Sequence, residues 1–136
     1  MARFCPPSGE GFILVPIPTT PRRLRTRGYN QAEILAGVVA DTTGIPLVNA
    51  MERPRGRTQV RLGPRERDAN VRGSFRLGPG QCSRIRGQKV ILIDDVLTTG
   101  ATARSAAEIL AEEGARTVRL ITFARALAFG ANTLTI

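Results

Sequence analysis

Apolar residues along this chain gather in short runs divided by polar, cationic or glycine-rich stretches, and the spacing within each run predicts its element. Phe12 to Val15 are continuously apolar and are closed by Pro16-Ile17-Pro18, which predicts a buried strand ending in a rigid turn. A cationic stretch from Pro21 to Gly28 follows. Asn30, with Glu33 three residues on, then marks a helix start of capping-box type. Ile34, Leu35, Val38 and Val39 recur at helical spacing as its apolar face, and Gly44 ends it. Ile45 to Val48 predict a short second strand.

From Arg53 to Gly87 prolines and glycines interrupt every long helical pattern, leaving a long excursion with short strands near Thr58 to Val60 and Ser74 to Leu77. Val90 to Ile93 form an apolar, β-branched run, the mark of a strand covered on both faces in a parallel sheet. A helix from about Thr102 to Glu113 turns Ala106, Ala107, Ile109 and Leu110 inward and stops at Gly114. A strand from Val118 to Phe123 follows. This order of strands and helices predicts an α/β fold.

Length and composition narrow the class. At 136 residues, 42% apolar and 23% charged, the chain supports one globular domain, 1–136, with a loop at about 53–87. It contains no histidine, which excludes imidazole acid–base work and His-based triads. Cys5 and Cys82 lie far apart with no CxxC pair, so a reduced, cytoplasmic protein is expected. No apolar run approaches the roughly 20 residues that span a bilayer, so no membrane insertion is expected.

Charge adds a direction. The net charge is +9, and every basic residue but Lys89 is arginine, from phosphate-fitting chemistry or from coding bias. Residues 1–89 carry 16 basic side chains against 6 acidic ones, whereas residues 90–136 carry 4 against 5. An anionic partner suits the first part, as does a plain solvated basic loop.

The segment Val90-Ile91-Leu92-Ile93-Asp94-Asp95-Val96-Leu97-Thr98-Thr99-Gly100-Ala101-Thr102 carries the chemistry. A buried strand delivers two adjacent carboxylates to its C-terminal end, where open α/β sheets bind their ligands. The turn into the next helix offers backbone N–H groups and threonine hydroxyls, a cradle for phosphate. Carboxylates repel phosphate but accept hydrogen bonds from vicinal hydroxyls. A sugar phosphate satisfies both, its ribose diol on Asp94 and Asp95 and its 5′-phosphate on the turn at 98–102. No Gly-Lys-Ser/Thr follows, which rules out a P-loop.

This segment resembles the 5-phosphoribosyl 1-pyrophosphate (PRPP) motif of type I phosphoribosyltransferases. Val15-Pro16-Ile17-Pro18, Arg25-Thr26-Arg27-Gly28-Tyr29-Asn30-Gln31-Ala32-Glu33, Gln59, Arg67 and Asn70-Val71-Arg72-Gly73-Ser74-Phe75 are similar to the ComF family, competence-associated proteins of that superfamily. The resemblance implies a three-layer fold: a mainly parallel sheet of about four or five strands flanked by helices, with a flexible hairpin-like loop.

It implies PRPP contacts from Asp94, Asp95, Val96, Leu97, Thr98, Thr99, Gly100, Ala101 and Thr102. It further implies a pyrophosphate loop with Pro18, Thr19, Arg25 and Arg27, where Arg22 and Arg23 are further sources of countercharge. Arg67 would close onto pyrophosphate from the excursion, and Asp94, Asp95 and Arg67 would form the catalytic set. Mg²⁺ would ride on the pyrophosphate and ribose hydroxyls of the ligand with no direct protein cage, and Asp94 and Asp95 would hold those hydroxyls directly or through metal water. Arg125 either faces the site or caps its strand; Tyr29 reads as a packed aromatic and Asn30 as a helix cap.

ComF proteins usually begin with a cysteine-rich zinc-binding module, and with only Cys5 in that neighbourhood that module is expected to be absent. Two functions stay open: phosphoribosyl transfer to an unknown acceptor, or a non-catalytic DNA-uptake role with single-stranded DNA on the arginine-rich loops. A homodimer is a further implication.

Overall fold

Three apolar strands laid parallel set the frame of the molecule. The computed structural model describes residues 11–54, 75–97, 100–125 and 133–135. In chain order the elements are β1 (Phe12–Pro16), α1 (Pro21–Arg27), α2 (Gln31–Thr43), β2 (Met51–Glu52), β3 (Arg76–Leu77), α3 (Cys82–Ile85), β4 (Lys89–Leu97), α4 (Ala101–Glu112), β5 (Thr117–Arg125) and β6 (Thr133–Thr135). The main sheet runs β1-β4-β5-β6, with β1, β4 and β5 parallel and β6 antiparallel at the edge. This is the α/β fold expected from the sequence.

β4 lies at the centre, its Ile91 in register with Leu14 of β1 and Arg119 of β5. Alternation along the strands divides the core into two layers. Ile13, Val15, Val90, Leu92, Val118 and Leu120 pack with Ala103, Ala106, Ala107 and Leu110 of α4. Phe12, Leu14, Ile91, Ile93 and Ile121 pack with Ala36 and Val39 of α2. Both faces are therefore covered, which is why β4 reads as an unbroken apolar run.

Several expectations are corrected. The segment 45–48 makes a single bridge, Leu14 to Leu47, flanked by bonds from Leu14 N to Pro46 O and from Val48 N to Leu14 O, both 2.8 Å. A proline there removes one donor and stops a full strand. The inward face of α2 is Ala32, Ala36 and Val39, with Leu35 partly buried. Ile34 and Val38 are 51% and 56% exposed. Small residues carry the contact where the helix lies against the sheet.

Asn30 caps α2 through a bond from Ala32 N to its Oδ1, but Glu33 does not close a capping box; it accepts from Asn49 Nδ2 at 3.3 Å. Tyr29 is exposed, not packed. The strand expected at 74–77 is Arg76–Leu77, paired antiparallel with Met51–Glu52. The strand expected near Thr58 to Val60 lies outside the described residues.

The cationic stretch after β1 is a helix, α1. Thr20 Oγ1 accepts from Arg23 N, Pro21 stands in the first turn and Gly28 closes it in the left-handed region at φ 80°. A side chain at Gly28 would have to adopt that conformation, so the helix stops there. No residue of α1 is buried. Among the described residues no helix is long and apolar enough to cross a membrane.

Candidate active site

The C-terminal ends of β1 and β4 open onto a cleft of about 410 Å³. Asp94, Asp95 and Val96 come to it from β4, and Gly100 and Thr102 from the start of α4. Pro18 and Thr19 follow β1, while Arg23 and Arg27 of α1 form one rim and Arg53 after β2 supplies a third cation. Asn30 also lines the cleft, and its Nδ2 donates to Ile17 O at 3.2 Å, tying the start of α2 to the end of β1.

The two carboxylates differ. Asp94 Oδ1 accepts from Asp95 N and Asp95 Oδ1 from Val96 N, both at 2.9 Å. Asp95 also faces Arg27, Nη1 to Oδ2 at 3.9 Å. Burial, then a hydrogen bond with the Asp95 side chain, pushes Asp94 up to about 7, against the pull of the Asp95 N–H and of Arg53. Asp94 is thus harder to ionise than an ordinary carboxyl, and an added cation or donor would favour its charged form.

Among the described residues, two polar atoms close by are buried without a hydrogen-bond partner: Arg53 Nε and Thr122 Oγ1. Thr122 is the register neighbour of Asp94 on β5. Arg53 lies 4.6 Å above the centre of the Phe75 ring. Its pKa is lowered chiefly by burial; Asp94 opposes that shift and Arg23 adds to it.

Of the residues singled out in the sequence, the cleft brings together Asp94, Asp95, Val96, Gly100, Thr102, Pro18, Thr19, Arg23 and Arg27. Arg22, Arg25 and Ala101 are not among its lining residues. Arg22 and Arg25 are exposed on α1, which turns only part of its arginine set inward. Arg67, Thr98, Thr99, Gln59, residues 70–74 and Cys5 lie outside the described residues, as do the side chains of Leu97 and Arg125. Sequence reasoning missed Arg53. Its only signal was a place between Glu52 and Pro54, two positions past the apolar pair Ala50-Met51, hidden among ten arginines in 53–86.

Residues 32–130 match the phosphoribosyl transferase domain family. The chain belongs to that family. It is 33% identical over 121 residues to DNA utilization protein YhgH of Salmonella typhi, covering 84% of this chain and 49% of the relative. It is 35% identical over 109 residues to competence protein ComFC of Bacillus subtilis, covering 76% and 40%. With competence protein F of Haemophilus influenzae it shares 31% over 115 residues, covering 83% and 50%. These relatives agree with the ComF resemblance of the sequence, and the chain spans about half their length or less.

Among solved structures, a glutamine PRPP amidotransferase from B. subtilis complexed with ADP and GMP matches with TM-score 0.59 at 23% identity, covering 89% of this chain and 24% of that one. A structure described as the allosteric regulatory enzyme of purine biosynthesis matches with TM-score 0.58 at 23% identity, covering 89% and 23%. At that identity the likeness concerns the fold, and it agrees with a type I phosphoribosyltransferase architecture.

Proposed function

We propose that the cleft binds PRPP or another phosphoribosyl ligand with Mg²⁺ and passes the phosphoribosyl group to an acceptor. One observation carries this reading: Asp94 and Asp95 share a cleft with Arg23, Arg27 and Arg53 and with the start of α4. Carboxylates beside three cations and a helix start suit a ligand that is both a diol and an anion. The ribose hydroxyls donate to Asp94 and Asp95, the 5′-phosphate sits at Gly100 and Thr102 on the N–H groups that open α4, and the arginines hold the departing anion.

Mg²⁺ suits these residues. Carboxylate oxygens are hard ligands, and the buried Asp94 carboxyl, held at about 7, gains a partner for its charge when a cation arrives. Two carboxylates are too few for a protein cage, so ligand oxygens and water complete the shell. When bound, the ion neutralises charge on the diphosphate. Asp94 and Asp95 orient the ribose by accepting its hydroxyls, and Arg23 and Arg27 face the side where negative charge develops. A cytoplasmic setting follows from the same reading.

The decisive experiment is a thermal-shift titration with PRPP and Mg²⁺. The wild-type chain gains stability with rising PRPP, and Asp94→Asn with Asp95→Asn loses that gain. A flat wild-type titration refutes the reading.

A non-catalytic role on single-stranded DNA has its own support. Arg22 and Arg25 are exposed on a helix with no buried residue, and the curated relatives carry DNA utilization and competence in their names. That reading requires oligonucleotide binding that weakens steeply with salt and is lost in Arg22→Gln with Arg25→Gln.

A further inference from the structure

Two large apolar side chains of α2 stand outward. Ile34 and Val38 are 51% and 56% exposed, and Tyr29, just ahead of the helix, is 44% exposed; three of the six exposed large apolar side chains among the described residues therefore lie here. Ile34, Gly37, Val38 and Asp41 fall at i, i+3, i+4 and i+7, one stripe on the side of the helix away from Ala32, Ala36 and Val39.

Two members of that stripe are out of place in a single chain. Glycine in mid-helix weakens the helix relative to alanine, yet a Cβ built on Gly37 meets no atom within 4 Å and its φ is not positive, so nothing in the fold asks for glycine there. Asp41 is exposed in the last turn of α2, where the helix dipole opposes a negative charge. That turn holds no basic residue, and among the described residues Asp41 has no ion-pair partner. A second helix crossing the stripe accounts for both, since a small residue lets two backbones approach and an outside cation answers the carboxylate.

Charge identifies what crosses. The chain carries 20 basic residues, but residues 28–52 have none, only Glu33, Asp41 and Glu52. Nucleic acid or anionic lipid finds nothing to hold on this face, whereas two copies at +9 each meet here with the least repulsion. The stripe also complements itself. In an antiparallel pair Asp41 of one copy points towards the positive start of the other copy's α2 and the Arg25 that precedes it, while Glu33 is drawn aside to Asn49.

We propose that the outer face of α2 is a self-association surface on which two copies of the chain pair antiparallel, Val38 of each packing over Gly37 of the other. Two 13-residue helices overlap along about 20 Å, so the contact buries less than the roughly 800 Å² per partner of a standard interface and the dimer is weak, in the micromolar range. It needs no ligand and is independent of what the cleft binds.

Sedimentation of the full chain in reductant, from about 1 to about 500 µM, tests it. The wild type passes from monomer to dimer across that range. Val38→Arg sets two cations face to face and Gly37→Leu holds the backbones apart, and each weakens the dimer at least about 30-fold. Asp41→Lys weakens it about three- to tenfold. Phe123→Ser removes an exposed apolar side chain of β5 and leaves the dimer unchanged. Melts at the lowest concentration verify that each variant is folded, and there Gly37→Leu and Asp41→Lys melt no lower than the wild type, because leucine suits a helix better than glycine and lysine suits its last turn.

A wild type that stays monomeric throughout overturns the proposal, as does a dimer that survives Val38→Arg and Gly37→Leu. An equal loss in Phe123→Ser moves the contact to the sheet and overturns it as well.

Discussion

The floor and the rim of the cleft are built in opposite ways. The floor is the end of β4, a strand paired on both sides and covered on both faces, so Asp94 and Asp95 inherit their positions from the centre of the core. The rim is α1, seven residues with none buried, held near the floor by Arg27 facing Asp95 at 3.9 Å. A rigid acid pair suits recognition of hydroxyls at fixed positions. A lightly held cationic rim suits an anion that arrives and leaves. Mutations on the two sides should therefore differ in kind: those on the floor act on ligand and on stability together, those on the rim on ligand alone.

The largest effect expected is on the floor. Asp94→Asn with Asp95→Asn reduces PRPP affinity in Mg²⁺ by at least about 100-fold, since two charge-assisted partners of the ribose and its ion are lost together. Calorimetry reads that loss directly. Retention of more than a tenth of the affinity would mean that the rim alone holds the ligand, and the contrast between the two sides would fall.

The floor also predicts a pH dependence. An unfolded chain releases the Asp94 proton near the ordinary 3.8, whereas the folded protein holds it up to about 7. Between those values the folded state binds the extra proton, so stability falls as pH rises through the window and is level on either side of it. The contribution is on the order of 4 kcal/mol across the window. Denaturant melts from pH 4 to 8 should show this decline in the wild type and a much flatter profile in Asp94→Asn. A wild-type stability that rises over the same range would contradict the buried, protonated floor.

On the rim, Arg23→Gln and Arg27→Gln should each cost about tenfold in PRPP affinity, with a loss that shrinks as salt is raised. Arg27 is 45% exposed at its side chain, so its pair with Asp95 adds at most about 0.5 kcal/mol to folding. Melting temperatures of both variants should stay within about 2 °C of the wild type. A drop comparable to a core truncation would show that α1 is as firmly built in as β4.

The same division explains what the sequence disclosed. β4, the acid pair and α4 were legible because burial on both faces writes itself as contiguous apolar residues, and the chemistry follows within a few positions. α1 was hidden because a helix with no buried face has no apolar periodicity, although Thr20-Pro21 and Gly28 marked its ends. α2 was found with its caps, yet its contact face was misplaced: the alanines that let a helix approach a sheet weigh little beside Ile34 and Val38 in a hydrophobic pattern. Arg53 owes its place to a two-residue ladder and a ring 22 positions away, a tertiary relation that local spacing does not carry.

The smallest effect concerns a feature of the floor that the core should not tolerate. Thr122 is 3% exposed, lies beside Asp94 in register, and its Oγ1 has no hydrogen-bond partner among the described residues. A buried hydroxyl without a partner costs free energy, and valine has nearly the same shape without the polar atom. Thr122→Val should therefore leave the ligand-free protein as stable or more stable, by up to about 1 kcal/mol, a rise of a few degrees in melting temperature. Its effect on PRPP decides what the hydroxyl is for. Unchanged affinity makes it a local imperfection of the core, whereas a loss of about threefold or more makes it a partner that Asp94 meets only when the sugar is in place. In the second case the floor, too, has a group that is satisfied by the ligand, and the difference between floor and rim becomes one of mobility rather than of readiness.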